Sequence, residues 1–96
     1  MIIRLVKMTF KPEESARFLS LYQAVQPKIL LFPGCLSVDL LHEVLDEHAY
    51  TTYSRWQSHE ALEAYRQSDF FKATWSEVRQ MLRTKTLAVS YRKVEF

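Results

Sequence analysis

Four aromatic side chains, Trp56, Tyr65, Phe71 and Trp75, crowd into one short stretch, WQSHEALEAYRQSDFFKATW. Rings of this kind stack on a planar substrate and can hold a phenol or quinone against oxygen; packed on one another they are simply core. Tyr65 also carries a phenol that could move a proton. His42 has an ordinary pKa of about 6.5, so it could serve as general base or acid. Its other possible setting is the rim of the sheet, beside the Leu45-Asp46-Glu47 turn. Arg4 lies on the same side of its strand as Val6 and Met8. A guanidinium covered there needs an anion, either a protein carboxylate or a substrate carboxylate or phenolate; at a strand end it would instead reach water. Cys35 has no base beside it in sequence and reads as a small packed hydrophobe. The three histidines, His42, His48 and His59, do not share metal-ligand spacing on one element. No phosphate loop, nucleophile elbow or paired-carboxylate motif is present.

The elements that must position these groups follow from periodicity. Ile2 to Phe10 alternates and is rich in branched residues, so a strand is expected, apolar on both faces. Pro12 with Glu13 and Glu14 marks a helix start, and Phe18, Leu21, Tyr22, Val25 and Ile29 form its apolar face. Pro27 lacks a backbone donor, so a kink or restart is expected there. Phe32-Pro33-Gly34 stops the helix with the only glycine of the chain. Cys35–Val44 and His48–Trp56 read as strands closing a hairpin, which sets Leu36 opposite Trp56, Leu40 opposite Thr52 and His42 opposite Tyr50. Leu40 and Thr52 thereby join Arg4, Phe71 and Trp75 as candidate substrate contacts. Ser58 and Ser68 are N-caps of a two-part helix to about Arg83, with Phe71, Trp75, Val78 and Leu82 along its apolar stripe. Thr84–Phe96 is the last strand.

The order is β-α-β-β-α-β. Two right-handed crossovers around a hairpin predict an α+β, ferredoxin-like domain spanning residues 1–96, a four-stranded antiparallel sheet with both helices on one face. The other face keeps Ile3, Leu5, Leu41, Tyr53, Leu87, Val89 and Tyr91, a large apolar patch for a monomer, so a homodimer packed sheet to sheet is expected.

Composition narrows the function classes. With 48% hydrophobic residues, 14% aromatic residues and a net charge of +2, the chain is globular and has no basic stripe, which argues against a nucleic-acid partner. A single cysteine excludes an internal disulfide. The N-terminal MIIRLVKMTF reads as a strand rather than a signal peptide, and no apolar run approaches the ~18 residues of a membrane span, so a cytoplasmic protein without membrane contact is the expectation.

Phe32-Pro33-Gly34-Cys35, then Trp56, Ser58, Glu60-Ala61-Leu62, Tyr65, Ser68 and Phe71, resemble the antibiotic-biosynthesis monooxygenase domain family. The resemblance implies a dimeric α+β barrel with a pocket between each sheet and its own helices. In the haem-degrading branch a histidine late in the second helix binds iron; aligning on SDFFKATW puts Trp75 there, and an indole cannot ligate iron. That branch's first-strand asparagine falls at Arg4. The cofactor-free quinone-forming branch matches at Trp56, while its asparagine falls at Thr52. Where many relatives have a histidine, this chain has Tyr65. The resemblance thus implies a monooxygenase needing no metal or flavin, acting with O2 on a small planar phenolic or quinol substrate. His42, Tyr65 and Trp56 are then the expected catalytic residues and Arg4 the anion site. The alternatives are a dimeric binding or stress-response module without catalysis, and an isomerase using His42 and Tyr65 as an acid–base pair.

Overall fold

Alternating burial along the strands decides which layer each side chain joins. The computed structural model describes residues 1–96. β1 (Ile2–Thr9) is followed by a 3-10 turn at Pro12–Glu14 and by α1 (Ser15–Leu30). β2 (Cys35–His42) and β3 (Ala49–Trp56) form the hairpin; α2 (His59–Arg66), α3 (Asp69–Met81) and β4 (Leu87–Arg92) complete the chain. The strands order β2-β3-β1-β4, all antiparallel, which is the ferredoxin-like α+β plan. Ile2, Arg4, Val6 and Met8 face the helices, together with their partners Trp56, Ser54, Thr52 and Tyr50 on β3.

Most local expectations hold for the reasons that produced them. Ser58 accepts from the Ala61 amide and Ser68 from the Phe71 amide, both at 3.1 Å, so two serines cap two helices within one short segment. Leu40 pairs with Thr52 and His42 with Tyr50. Leu36 does not pair with Trp56. A bulge between Cys35 and Ser37 puts Cys35 opposite Trp56 and turns Leu36 out to solvent. α1 runs unbroken through Pro27, so the expected restart does not occur; the missing donor falls within one turn of the helix end. α3 ends at Met81, because Leu82 leaves the helix to bridge Phe10 while the Arg83 amide donates to the Thr9 carbonyl. β2, β3 and β4 are each shorter than the alternation suggests; the pattern continues past the last ladder bond.

The core forms two clusters. Met8, Phe10, Phe18, Tyr50, Val78 and Met81 make one, and Ile2, Ile29, Val38, Trp56 and Leu62 the other. On the opposite face Leu41, Leu87, Val89 and Tyr91 are exposed. β4 has no buried residue on either face: Leu87, Val89 and Tyr91 lie on the uncovered side, and Ala88, Ser90 and Arg92 are exposed on the helix side of this edge strand.

Gly34 joins α1 to β2 with φ 83°, and its carbonyl accepts from the Gln57 amide at 2.8 Å. A Cβ there would lie 2.5 Å from Cβ of Ala61, in the first turn of α2. Both backbone angle and space therefore require glycine. Gly34→Ala should cost about 2–4 kcal/mol, lowering Tm by roughly 10 °C or more. Adding Ala61→Gly should return only the steric part. Thermal unfolding of the two variants checks this, and a Gly34→Ala protein that melts with the wild type would refute it.

Candidate active site

A cavity of about 330 Å³ lies between the sheet and the helices, lined by members of both core clusters. Its lining is mostly apolar: Val6, Met8, Phe18, Leu21, Val25 and Val78 are among its walls. Space of this size suits a small organic ligand.

One wall is a run of rings. Trp56 ends β3, is 1% exposed, and donates from Nε1 to Ser54 Oγ at 3.0 Å, two residues back on the same face. Tyr65 of α2 stacks on it with centroids 5.1 Å apart and planes at 25°. Phe71 meets Tyr65 edge-on at 5.1 Å, and Trp75 lies nearly parallel to Phe71 at 6.2 Å. All four line the cavity. They are at once core and wall, so the two readings of this stretch do not compete.

The polar lining is sparse. Thr52 and Ser54 of β3 and Thr74 of α3 supply hydroxyls. Arg4 projects from the middle of the sheet, and its Nη1 donates to Ser90 Oγ of β4 at 3.0 Å. No carboxylate forms an ion pair with it. Burial, then the nearby Arg66, lowers its pKa, and Glu63 opposes that fall. Arg66, in the last turn of α2, also lines the cavity and donates from Nη1 to Glu63 Oε1 at 2.8 Å. That hydrogen bond is the main reason the Glu63 carboxyl stays below its usual range.

Two phenols line the cavity as well. Burial pushes the Tyr22 hydroxyl up to about 12, with Asp39 and Cys35 adding to the rise. Burial also pushes Tyr65 well up, reinforced by Cys35 and Tyr22. Both remain protonated at neutral pH and can only be weak bases. The lining holds no histidine, cysteine or carboxylate. Nowhere do three His, Cys, Asp or Glu side chains gather where they could hold a metal ion.

Of the expected site residues, Arg4, Thr52, Trp56, Tyr65, Phe71 and Trp75 meet at this cavity. His42 does not. It ends β2 on an edge strand, stacks on Tyr50 at 4.4 Å, and its Nε2 lies 3.0 Å from the Glu47 carbonyl oxygen. Its face is the right one, but the sheet extends past the helix layer there, so the ring is exposed at the rim. Leu40 packs against the core cluster containing Tyr50 and is not at the cavity. Arg66 and Tyr22 were not among the expected residues. Arg66 follows Leu62 by four, and that spacing could have flagged it; Tyr22 was visible only as part of an apolar helix face.

The profile of a family described as antibiotic biosynthesis monooxygenase matches residues 1–76. Among solved structures, one described as an antibiotic biosynthesis monooxygenase is similar at 22% identity and TM-score 0.91, covering 99% of this chain and 100% of its own. A conserved protein from Methanosarcina mazei Go1 is similar at 26% identity and TM-score 0.91, covering 98% and 94%. Rv0793 from Mycobacterium tuberculosis is similar at 18% identity and TM-score 0.89, covering 99% and 96%. No protein of curated function matches the sequence. No helix is long and apolar enough to cross a membrane.

The two phenols give a test of the cavity's dryness. Unfolded tyrosines ionise near the ordinary value of about 10, whereas Tyr22 holds its proton to about 12 and Tyr65 holds its own well above the ordinary value. Above the ordinary value the unfolded chain therefore binds fewer protons, so stability falls as pH rises through that window. Absorbance titration should show Tyr22 and Tyr65 ionising late, and Tyr65→Phe should remove one late step. All five tyrosines titrating together would contradict the burial described.

Proposed function

The chain belongs to the antibiotic biosynthesis monooxygenase family, and from that membership and this cavity we propose a monooxygenase that oxidises a small planar phenolic or quinol-type compound with O2, using no metal or flavin. The observation that carries the proposal is the aromatic wall Trp56-Tyr65-Phe71-Trp75 facing an apolar cavity that holds an unpaired guanidinium.

The chemistry asks little of the protein beyond binding, desolvation and charge. An anthrone-like methylene loses two hydrogens. One atom of O2 becomes the new carbonyl oxygen, and the other leaves as water with those hydrogens. All four electrons come from the substrate. The slow part is making the substrate electron-rich by deprotonation. Arg4 favours the phenolate or enolate by charge, lowering the bound substrate's pKa. Trp56, Phe71 and Trp75 hold the ring plane, and Thr52 supplies a hydroxyl to it. Tyr65 acts as a hydrogen-bond donor to the developing anion rather than as a base. His42, at the rim, takes no part, which also removes the isomerase reading that paired it with Tyr65.

A second reading rests on the lack of any cavity side chain with a pKa near neutrality: a module that binds the same compounds without turnover. Association through the open sheet face completes the proposal. Leu41, Leu87, Val89 and Tyr91 would be covered by a second copy, giving a homodimer in the cytoplasm.

Oxygen uptake with a panel of hydroquinones and anthrones separates the readings. Turnover is expected without added metal or flavin. Trp56→Ala should lower kcat/KM by about 10²-fold through lost positioning, while His42→Ala should stay within about twofold of wild type. No uptake above the uncatalysed rate would leave only the binding module. For the dimer, sedimentation equilibrium should give twice 11.4 kDa, and a Leu41→Glu, Val89→Glu double variant should sediment as a monomer. A monomeric wild type at micromolar concentration would exclude the sheet-to-sheet pairing.

A further inference from the structure

We propose that the cavity is built for an aromatic carboxylate: the carboxylate lies between Arg4 and Arg66, and a second oxygen at the far end of the ring system accepts from Tyr22. This rests on the reading of the cavity as a ligand pocket and is independent of whether the bound compound reacts.

Charge and acceptor capacity carry the first half. Arg4 and Arg66 both line the cavity; burial, and after it the charge of Arg66, depresses the pKa of Arg4. Two partly desolvated cations lining one cavity favour a counter-charge there. Within the chain they have one carboxylate, Glu63, and it is spent on Nη1 of Arg66. Arg4 has only the neutral Ser90 hydroxyl. Nε of Arg66 is buried with no acceptor in the chain. The cluster thus carries one uncompensated positive charge and offers donors from two guanidiniums. A phenolate brings one oxygen. A carboxylate brings two, each with two lone-pair directions, and so can serve both guanidiniums at once.

The second half comes from Tyr22. Its hydroxyl is the other buried polar atom of the chain without a partner, and it also belongs to the lining. Tyr22 is carried by α1, the helix that packs on β2, whereas Arg4 is bonded to β4. With strand order β2-β3-β1-β4, two strand spacings separate β1 from β2, about 10 Å. A pair of fused aromatic rings with oxygen functions at opposite ends spans that distance. The rings between them would lie on the wall of Trp56, Tyr65, Phe71 and Trp75, where nothing polar needs satisfying.

Calorimetric titration with a hydroxynaphthoate carrying its two groups at opposite ends tests this against two controls: the matching hydroxynaphthamide, uncharged but of the same shape, and naphthoate lacking the hydroxyl. The carboxylate should bind about tenfold or more tightly than the amide. Arg66→Met should remove much of that preference, and Arg4→Met with Arg66→Met all of it, while Arg66→Lys keeps part. Tyr22→Phe should weaken the hydroxynaphthoate about threefold to tenfold and leave naphthoate unchanged. Circular dichroism and the melting temperature confirm that each variant is folded; should the double methionine variant not fold, Arg4→Gln with Arg66→Gln replaces it. Equal binding of carboxylate and amide, a preference that survives the double variant, or no binding of any probe would overturn the proposal. A Tyr22→Phe effect common to both carboxylates would overturn its far end. Carboxylate preference without oxygen uptake removes the oxygenase and keeps this inference; oxygen uptake without carboxylate preference does the reverse.

Discussion

The stack of Tyr65 on Trp56 is the contact on which the rest of the molecule depends. Trp56 closes β3 and pairs across to both neighbouring strands, with Ile2 on β1 and Cys35 on β2. Its indole fills the space at the end of the sheet and is held at its own edge by Ser54. Tyr65 then lies over it almost flat, so α2 stands off the sheet by the thickness of an aromatic layer rather than settling onto it. Gly34 fixes the same helix from the other side, its missing side chain letting Ala61 come close. Between that propped end and the cluster around Phe10 and Met81 the two layers do not meet, and the gap is the cavity.

What fills the gap's lining is chemically one-sided. The positive groups are two guanidiniums whose charge is fixed, and the only other titratable groups are phenols that burial keeps neutral. Such a cavity can favour an anion but can scarcely make one by taking a proton into a side chain. Acidity has to come from stabilising the product of ionisation, not from a strong base. The lack of a histidine in this chain's cavity is therefore compatible with the proposed oxidation: a substrate already acidic, or made so beside a cation, would need only to be held dry and flat.

The sequence made much of this legible, and its failures have local causes. Strict alternation set the hairpin register, so Leu40 met Thr52 and His42 met Tyr50 as read. Serine caps and the aromatic stripe gave α2 and α3, and with them Tyr65, Phe71 and Trp75 of the cavity wall. Alternation cannot see a bulge, so Leu36 was assigned to the wrong side. Nor can it see where a covering layer ends. His42 lies on the helix-facing side by pattern, yet no helix reaches the rim of an edge strand, and a residue chosen for its pKa was the one the layer left outside. Arg66 shows the converse. A lysine or arginine near a helix C-terminus usually complements the dipole, and only its spacing of four from the buried Leu62 marks Arg66 as one that also lines the cavity.

The two faces of the sheet divide the demands on so short a chain. Helices cover one face incompletely, and the incompleteness is the cavity. They leave the other face bare, with Leu41, Leu87, Val89 and Tyr91 exposed on it. Filling the cavity with larger side chains would strengthen the core but remove the space for a ligand. Polar residues on the open face would improve the solubility of a monomer but weaken any association through that face. In a domain of this size the helix-side core alone buries limited apolar area, and the proposed association through the bare face would add to its stability. Arg4, partly buried under the helices, adds a desolvation cost that Ser90 and Glu63 offset only in part. An anion bound between Arg4 and Arg66 and a second copy on the bare face, both as proposed, would add to the same stability.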